Sequence, residues 1–355
     1  MARKLNLAVV GATGVVGSIM LRLLADERDK WGEIRLIASA RSAGKVLSVG
    51  DEEITVQAIG PDVFEGIDIA HFDLPDEVSA EWVPVAAAAG AVVIDKSAHF
   101  RMDPEVPLVC REANPEAVRE RPKGIIANAN CTTLALIPTL AALDKAFGLV
   151  SMSVASYQAA SGSGKEGLEG LYAQIDKTAG VERIGTETGD VRAVLGAEYD
   201  TPFGAPLALN VVPKVGGWRE GGWTSEELKV RNESRKILGL PDLKVASTCV
   251  RVPVAVGHSQ AVHATFAREV SVPEAHRVLA AAEGVELVDD PENMVFPMPI
   301  DSVGKPGTQV GRVRQSIDFP NSLEFFVVGD NLMKGAALNS IETAELVRLE
   351  LEAKQ

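Results

Sequence analysis

Residues 4–17, KLNLAVVGATGVVG, carry an apolar strand into a turn with glycines at 11, 14 and 17, and SIMLRLLAD continues with apolar residues at helical spacing. This strand, glycine turn, helix opening constrains the fold more than any other stretch. Glycines permit a tight turn and close approach of a pyrophosphate, and the following helix N-terminus supplies unpaired N–H donors. Gly11, Gly14 and Gly17 are spaced GxxGxxG, where a dinucleotide fingerprint more often reads GxGxxG, so a purely structural turn stays open. Apolar strands then recur at EIRLIAS, GIDIAHF and AVVIDKS, with a helix candidate at VSAEWVPVAAAA. That alternation predicts a parallel sheet covered by helices.

The chain changes character after GIIANANCTTLALIPTL, in which a short strand, a polar kink holding Cys131 and an apolar helix follow one another. MSVASYQAAS reads as a strand entering the glycine-rich SGSGKEGLEG, and LEGLYAQIDKTAG as a helix. Residues 180–223 are rich in Gly, Pro and Thr and predict long connections, with a role in subunit contacts as one use. In TSEELKVRNESRKILG, Thr224 and Glu227 form a capping-box pattern that opens a charged helix ending at Gly239. TCVRVPVAVGHSQAVHATFA reads as a strand pair around a Val and Gly bend, LEFFVVGD as a last strand, and DNLMKGAALNSIETAELVRLELEAKQ as a closing helix.

With 355 residues, 46% of them hydrophobic and 24% charged, two globular domains are expected. A net charge of -14 argues against nonspecific binding to nucleic acid or an anionic membrane, because the long-range field repels polyanions. No long apolar run suits a membrane span, and the N-terminal residues enter a strand without a signal-peptide pattern, so a cytoplasmic protein is expected. Cys110, Cys131 and Cys249 are too few and too scattered for a disulfide framework, and the five histidines show no metal-binding spacing; no metal is expected.

Several residues admit two readings. At the end of the second strand, where an NAD site carries an acidic residue, IASARSAGK offers Ser39, Arg41, Ser42 and Lys45; these suit the extra phosphate of NADP or form a solvated basic loop. Cys131 is either a buried hydrophobe or a thiolate favoured by a helix N-terminus, with Asn130, Thr132 and Thr133 as donors. Cys110 and Cys249 sit in apolar or strand-like surroundings and read as structural. His258 is a strand-end histidine or the acid/base partner of a cysteine. Gln158 could orient a substrate, and Ser161 and Gly162 could admit a cofactor or simply form a flexible turn. Arg101 and Lys229 are ordinary surface charges individually and an anion pocket together.

The segments GATGVVG, ASARSAGK, VIDKSAHFRMDPEVPLV, IIANANCTT, SYQAASGSG, LNVVPK, ESRKILG, TCVRVPVAVGHS and DNLMKGAALNSIETAE together resemble the aspartate-β-semialdehyde dehydrogenase family, in the family's order and across nearly the whole chain. The resemblance implies an α/β fold: a Rossmann-type NADP-binding domain, 1–128 plus 331–355 with the C-terminal helix packing back, and an inserted α+β catalytic and dimerisation domain, 129–330. It implies NADP-dependent, reversible reductive dephosphorylation of L-4-aspartyl phosphate to L-aspartate 4-semialdehyde, a step toward lysine, threonine and methionine. Phosphate and the semialdehyde are then small-molecule partners, and the protein a homodimer or a dimer of dimers.

By position the resemblance makes Cys131 the nucleophile that forms an acyl thioester, His258 the acid/base, and Gln158 a catalytic residue that holds the substrate. Arg251 would clamp the α-carboxylate, Glu226 meet the α-ammonium, and Arg101, Lys229 and Asn130 serve the phosphate site. The cofactor would lie on Gly11, Thr13, Gly14, Val15, Val16, Ser39, Arg41, Ser42, Ser161, Gly162 and Asn331.

Three departures stand out. The family's small turn of the type Ser-Ala-Gly-Gly is HFDLPDEVS here, which brings Asp73, Pro75 and Asp76 near the expected cofactor path, where carboxylates oppose an anionic ligand. Ala129 replaces the proline of NPNC, and Arg111 stands in REAN where PEVN or SEVN is usual. Two other readings remain: a divergent paralogue acting on another acyl phosphate such as N-acetyl-γ-glutamyl phosphate, whose relatives usually carry NPGCYPT rather than NANCTT, and a noncatalytic NADP-binding relative.

Overall fold

The computed structural model describes residues 3–196 and 201–354. Its backbone divides into two units, one of residues 1–130, 236–239 and 333–355, the other of residues 131–235 and 240–332.

In the first unit β1 (Leu7–Val10) leads through the glycine turn into α1 (Val15–Ala25) and then β2 (Ile34–Ala38). A two-stranded ribbon of β3 (Val46–Val49) and β4 (Glu52–Thr55) follows, then β5 (Gln57–Ala58), β6 (Ile69–Phe72), α2 (Asp76–Ala88), β7 (Val92–Asp95), β8 (Leu108–Val109) and β9 (Ile125–Asn128). Seven strands form one sheet in the order β5-β2-β1-β6-β7-β9-β8, and each pairing is parallel. β1, β6 and β9 are buried at every position, which is why they read as continuous apolar runs rather than alternating ones.

His71 interrupts that apolar sheet. Its side chain is 1% exposed and neither ring nitrogen has a hydrogen-bond partner among the described residues. Burial pushes its pKa down to about 4, outweighing the opposite pull of Asp73. The folded protein therefore keeps His71 neutral, whereas the unfolded chain protonates it near pH 6.5. Stability from this group is complete above the unfolded pKa and is lost as pH falls toward the folded one. Between pH 7 and pH 5 the loss is about 2 kcal/mol. Urea unfolding at both pH values should show a smaller acid penalty in His71→Leu by that amount; equal penalties in the two proteins would refute it.

The second unit opens with α3 (Cys131–Phe147) and β10 (Leu149–Gln158), followed by α4 (Gly164–Thr178) and α5 (Asp190–Leu195). Next come α6 (Ser225–Leu238), β11 (Lys244–Arg251), β12 (His258–Phe266), α7 (Val272–Ala280), β13 (Val285–Leu287), α8 (Pro299–Ser302), β14 (Thr308–Gln315) and β15 (Ser322–Gly329). Six strands form a mixed sheet in the order β11-β10-β12-β15-β14-β13, with α3 and α7 packed on it. Apart from α5 and a short 3-10 turn at Glu220–Gly222, the long connections expected over 180–223 are turns with isolated bridges from Val212 to Arg251 and from Trp218 to Thr224, and residues 197–200 lie outside the described residues.

β11 and β12 both form, yet they do not pair with each other: β10 lies between them, parallel to β11 and antiparallel to β12. The connecting segment crosses the end of β10, because Val252 N–H donates to Gln158 O, and Val254 and Ala255 carbonyls accept from the amides of Ala160 and Ser161. The closing helix also differs from a single run. Met333–Leu338 makes a π-helical turn, and α9 (Asn339–Glu352) follows, packing on β6, β7 and α1 within the first unit. No helix among the described residues is long and apolar enough to cross a membrane.

Candidate active site

In the second unit, one end of the sheet collects four polar side chains. Gln158 ends β10 directly beside Arg251, the last residue of β11, and His258 begins β12 opposite Gly329. Asn331 follows two residues after Gly329, and all four side chains are buried. α3 brings Cys131 to this end at its first residue. The helix can approach because Gly329 lacks a side chain: a Cβ there would lie 3.0 Å from the Ala135 Cβ.

Cys131 Sγ is 3.4 Å from His258 Nε2. The Ala159 amide donates to His258 Nδ1 at 3.0 Å, so the neutral ring carries its proton on Nε2, toward the sulfur. Burial, reinforced by the Arg251 charge, pushes the His258 pKa down to about 3, which keeps the ring neutral at pH 7. A helix N-terminus, a facing N–H donor and a nearby guanidinium all favour sulfur as thiolate. The other two cysteines are in contrary settings: burial pushes Cys249 up to about 12 and raises Cys110 well above its ordinary value.

Glu226 is the hub of the remaining polar groups. Its Oε1 accepts from Gln158 Nε2 at 3.0 Å and from the Thr132 hydroxyl at 3.2 Å, while Oε2 is 3.3 Å from Lys229 Nζ. Glu226 and Lys229 share a face of α6 one turn apart. The helix start is fixed by the capping box read from the sequence: Thr224 N–H donates to Glu227 Oε2 at 2.7 Å and Glu227 N–H to the Thr224 hydroxyl at 3.3 Å. Glu227 Oε1 also accepts from the Cys249 amide, which ties α6 to β11.

Arg251 donates through Nη1 to the Ala159 carbonyl at 2.6 Å, and its guanidinium lies 5.8 Å from the Phe203 ring centre. Burial lowers its pKa, with Glu226 and Cys131 acting the other way. The turn after β10 closes over this group. A Cβ on Gly162 would come within 2.7 Å of Arg251 Nη1 and 3.1 Å of His258 Nε2, so the turn packs directly on these two side chains. Ser161 and Asn331 hydrogen-bond at 3.0 Å, and Asn331 Oδ1 accepts from the Gly257 amide at 2.9 Å. That bond fixes the residue before His258, at a φ of +100°.

Gly162→Ala should therefore displace the guanidinium or the imidazole and lower kcat/KM by about 10- to 100-fold with the fold intact. Unchanged kinetics would contradict the close approach.

Sequence reasoning passed over Thr132 as a partner of Glu226, and Gln260, whose Nε2 donates to the Thr132 carbonyl at 2.9 Å. Gln260 lies two residues after His258 on the same face of β12, a period-2 signal that was available. Phe203 gave no signal at all.

The first unit holds Arg101, Asn130 and eight of the residues expected at the cofactor, Gly11 to Ser42, whereas Ser161, Gly162 and Asn331 belong to the second unit. Arg101 and Asn130 are buried, and the Arg101 guanidinium donates to the Lys96 carbonyl. The three glycines of the opening turn divide their work. Gly11, at φ +95°, passes so close to the Asp73 carbonyl that a Cβ would overlap it, and one on Gly17 would overlap the Gly11 carbonyl. Gly14 is the least crowded of the three, a Cβ there lying 3.3 Å from the Gly11 carbonyl oxygen, and it caps α1 with no side-chain hydrogen bond, so the first turn's N–H groups can serve a ligand. Val15 and Val16 form that first turn. The Thr13 and Ser42 hydroxyls meet at 3.4 Å, joining the glycine turn to the loop after β2, where Ser39 and Arg41 are exposed. An uncapped helix start, a glycine turn and hydroxyl and guanidinium groups at the strand ends fit a nicotinamide dinucleotide.

Asp76 Oδ1 accepts from the Ala98 amide at 2.8 Å, whereas Asp73 abuts the glycine turn. Among the described residues no group of three or more His, Cys, Asp or Glu side chains is placed to hold a metal.

A parallel sheet that opens on a glycine turn defines an α/β protein of the dinucleotide-binding class, with a second unit that holds a cysteine–histidine pair amid buried charges. Residues 6–121 match the family described as semialdehyde dehydrogenase, NAD binding domain, and residues 140–334 its dimerisation domain. The chain is 41% identical over 349 residues to aspartate-semialdehyde dehydrogenase of Bacillus subtilis (98% of this chain, 99% of that one) and 45% identical over 353 residues to that of Streptomyces akiyoshiensis (98% and 100%). Its structure is similar to the crystal structure of aspartate semialdehyde dehydrogenase II of Vibrio cholerae complexed with ASA, with a TM-score of 0.89, 36% identity and 98% of each chain covered. The chain belongs to the aspartate-semialdehyde dehydrogenase family.

Proposed function

We propose that the protein catalyses the NADP-dependent, reversible reductive dephosphorylation of L-4-aspartyl phosphate to L-aspartate 4-semialdehyde through an acyl thioester on Cys131. The observation that carries this reading is the 3.4 Å approach of Cys131 Sγ to His258 Nε2 beside a buried cation and a buried carboxylate. Arg251 suits the α-carboxylate in a two-pronged contact, and Glu226 suits the α-ammonium, so the pair selects an amino acid with its head groups free. Gln158, held between Ser156 and Glu226, has one defined amide orientation from which to position the acyl group.

The Cys131 thiolate attacks the acyl carbon, the carbon–sulfur bond forms, and phosphate departs with the electron pair of the broken C–O bond. Lys229, beside Glu226 in the second unit, is proposed to receive that phosphate, and the family resemblance gives Arg101 and Asn130 the same role. NADPH, when bound, would supply hydride to the acyl carbon; the carbon–sulfur bond then breaks, its electron pair returns to Cys131 as thiolate, and the aldehyde is freed. His258 faces the sulfur with its Nε2 proton and steadies both the thiolate and the tetrahedral oxyanion; acid/base exchange at the same nitrogen serves the aldehyde-oxidising direction. NADP rather than NAD is favoured by Ser39 and Arg41 at the end of β2, where no carboxylate stands to receive a ribose hydroxyl. Amino-acid biosynthesis in the cytoplasm is the setting that this chemistry fits.

The second unit also supports a homodimer. α3 and α7 cover one face of its sheet. On the other, Ser153, Ala155, Tyr157, Ala261 and Phe326 are half-buried or exposed and small or aromatic, with the His263–Glu324 pair, 2.7 Å apart, beside them. Such a face fits a second copy of the same face. Light scattering after size exclusion should give twice the chain mass; a monomer at micromolar concentration would refute it.

The purified protein should oxidise aspartate semialdehyde with phosphate and NADP, and far more slowly with NAD. Turnover of the N-acetyl-γ-glutamyl substrate alone, or of no acyl phosphate, would overturn the proposal.

A further inference from the structure

β1, β6 and β7 lie side by side and end in register at Val10, Phe72 and Asp95. The residues that follow are Gly11, Asp73 and Lys96. Asp73 N–H donates to the Val10 carbonyl at 2.9 Å and Lys96 N–H to the Phe72 carbonyl at 3.0 Å, so both positions are fixed by the sheet itself. Strand order reverses here, with β2 and β5 on one side of β1 and β6 on the other. In a doubly wound sheet the ligand crevice opens at that point.

A carboxylate occupies the mouth of that crevice. Asp73 Oδ1 is 2.6 Å from Lys96 Nζ, and Oδ2 is 3.7 Å from the position a Cβ would take on Gly14. Gly14 is the least crowded of the three turn glycines and the N-cap of α1, where no side chain caps the helix. The helix N-terminus that would attract a pyrophosphate thus already has an anion beside it, neutralised by one lysine. Both side chains are mostly covered, at 17% and 25% exposure, which limits the water that screens their charges from an arriving anion.

We propose that Asp73 is a resident anion of the cofactor crevice that weakens dinucleotide binding, and that Lys96 offsets it, so that the pair sets the cofactor's affinity. The inference rests on the dinucleotide reading given above. One unit charge several ångströms from a phosphate, at an effective dielectric between that of the protein surface and water, changes a dissociation constant by about threefold to thirtyfold. Asp73→Asn removes the charge at constant shape. Lys96→Met removes the compensation at similar length.

The test is equilibrium titration of the full-length protein with NADPH and with NADH, without substrate, read by nicotinamide fluorescence. Asp73→Asn should lower the NADPH dissociation constant at least about threefold, Lys96→Met should raise it by a similar factor, and the double variant should return near wild type. Should Asp73→Asn fail to fold, as judged by circular dichroism, the Lys96→Met titration alone decides, and an unchanged or lower constant overturns the inference. Wild-type binding with an equal or weaker Asp73→Asn affinity overturns the inference and leaves the dinucleotide reading standing. Wild-type protein that binds neither dinucleotide overturns both.

Discussion

Cys131→Ala should reduce turnover in either direction by about 10⁴-fold or more while leaving the unfolding midpoint nearly unchanged. The large kinetic effect follows from removing the one group able to hold the acyl chain covalently; loss of a nucleophile is not rescued by the residues that serve it. The small structural effect follows from its place at the first residue of α3, half-buried rather than in the core. Steady-state rates and urea unfolding of the same preparation check both parts. An active Cys131→Ala protein would remove the covalent mechanism. The corresponding change at Cys249, whose thiol burial pushes up to about 12, should leave chemistry at Cys131 in place.

Lys334→Met should destabilise the protein by about 3–5 kcal/mol, the largest single effect on stability expected in the first unit. Lys334 is fully buried in the π-helical turn, pairs with Glu112 and lies 2.9 Å from Glu342 Oε2. Burial by itself would lower its pKa, but the two carboxylates outweigh burial and raise it. Without the ammonium, two nearby carboxylates remain in a desolvated site, and Cys110 Sγ, which donates to Glu112, shares that site. Urea unfolding measures the loss. Adding Glu112→Gln and Glu342→Gln to Lys334→Met should recover most of it, since breaking a buried ion pair costs more than replacing it. An unchanged midpoint in the single variant would show that the triad carries little.

Much of this was legible because apolar runs mark buried strands without ambiguity. β1, β6, β7 and β9 were read from four such runs, and the capping box at Thr224 and Glu227 announced the start of α6. What the sequence withheld were pairings set by distant segments. The intervention of β10 between β11 and β12 depends on backbone bonds between 158–161 and 252–255. The closing segment read as one helix, which gave no sign that Lys334 is buried or that its partner Glu112 is 222 residues away in the chain. At the candidate site the identities of Cys131, His258, Gln158, Glu226 and Arg251 came from resemblance. Their geometry, including the Ala159 amide that sets the His258 tautomer and the Gly162 contact, belongs to tertiary structure alone. Asp73 and Asp76 looked equivalent in HFDLPDEVS, yet one flanks the glycine turn and the other receives an amide at the start of α2.

The most direct measurement of the central claim is a single turnover with aspartyl phosphate in the absence of nicotinamide cofactor, followed by peptide mass spectrometry. The account predicts release of one phosphate per active site and an acyl adduct confined to the peptide carrying Cys131, absent from Cys131→Ala. Normal catalytic turnover by the complete system, with no phosphate released and no adduct on Cys131 when cofactor is withheld, would contradict it.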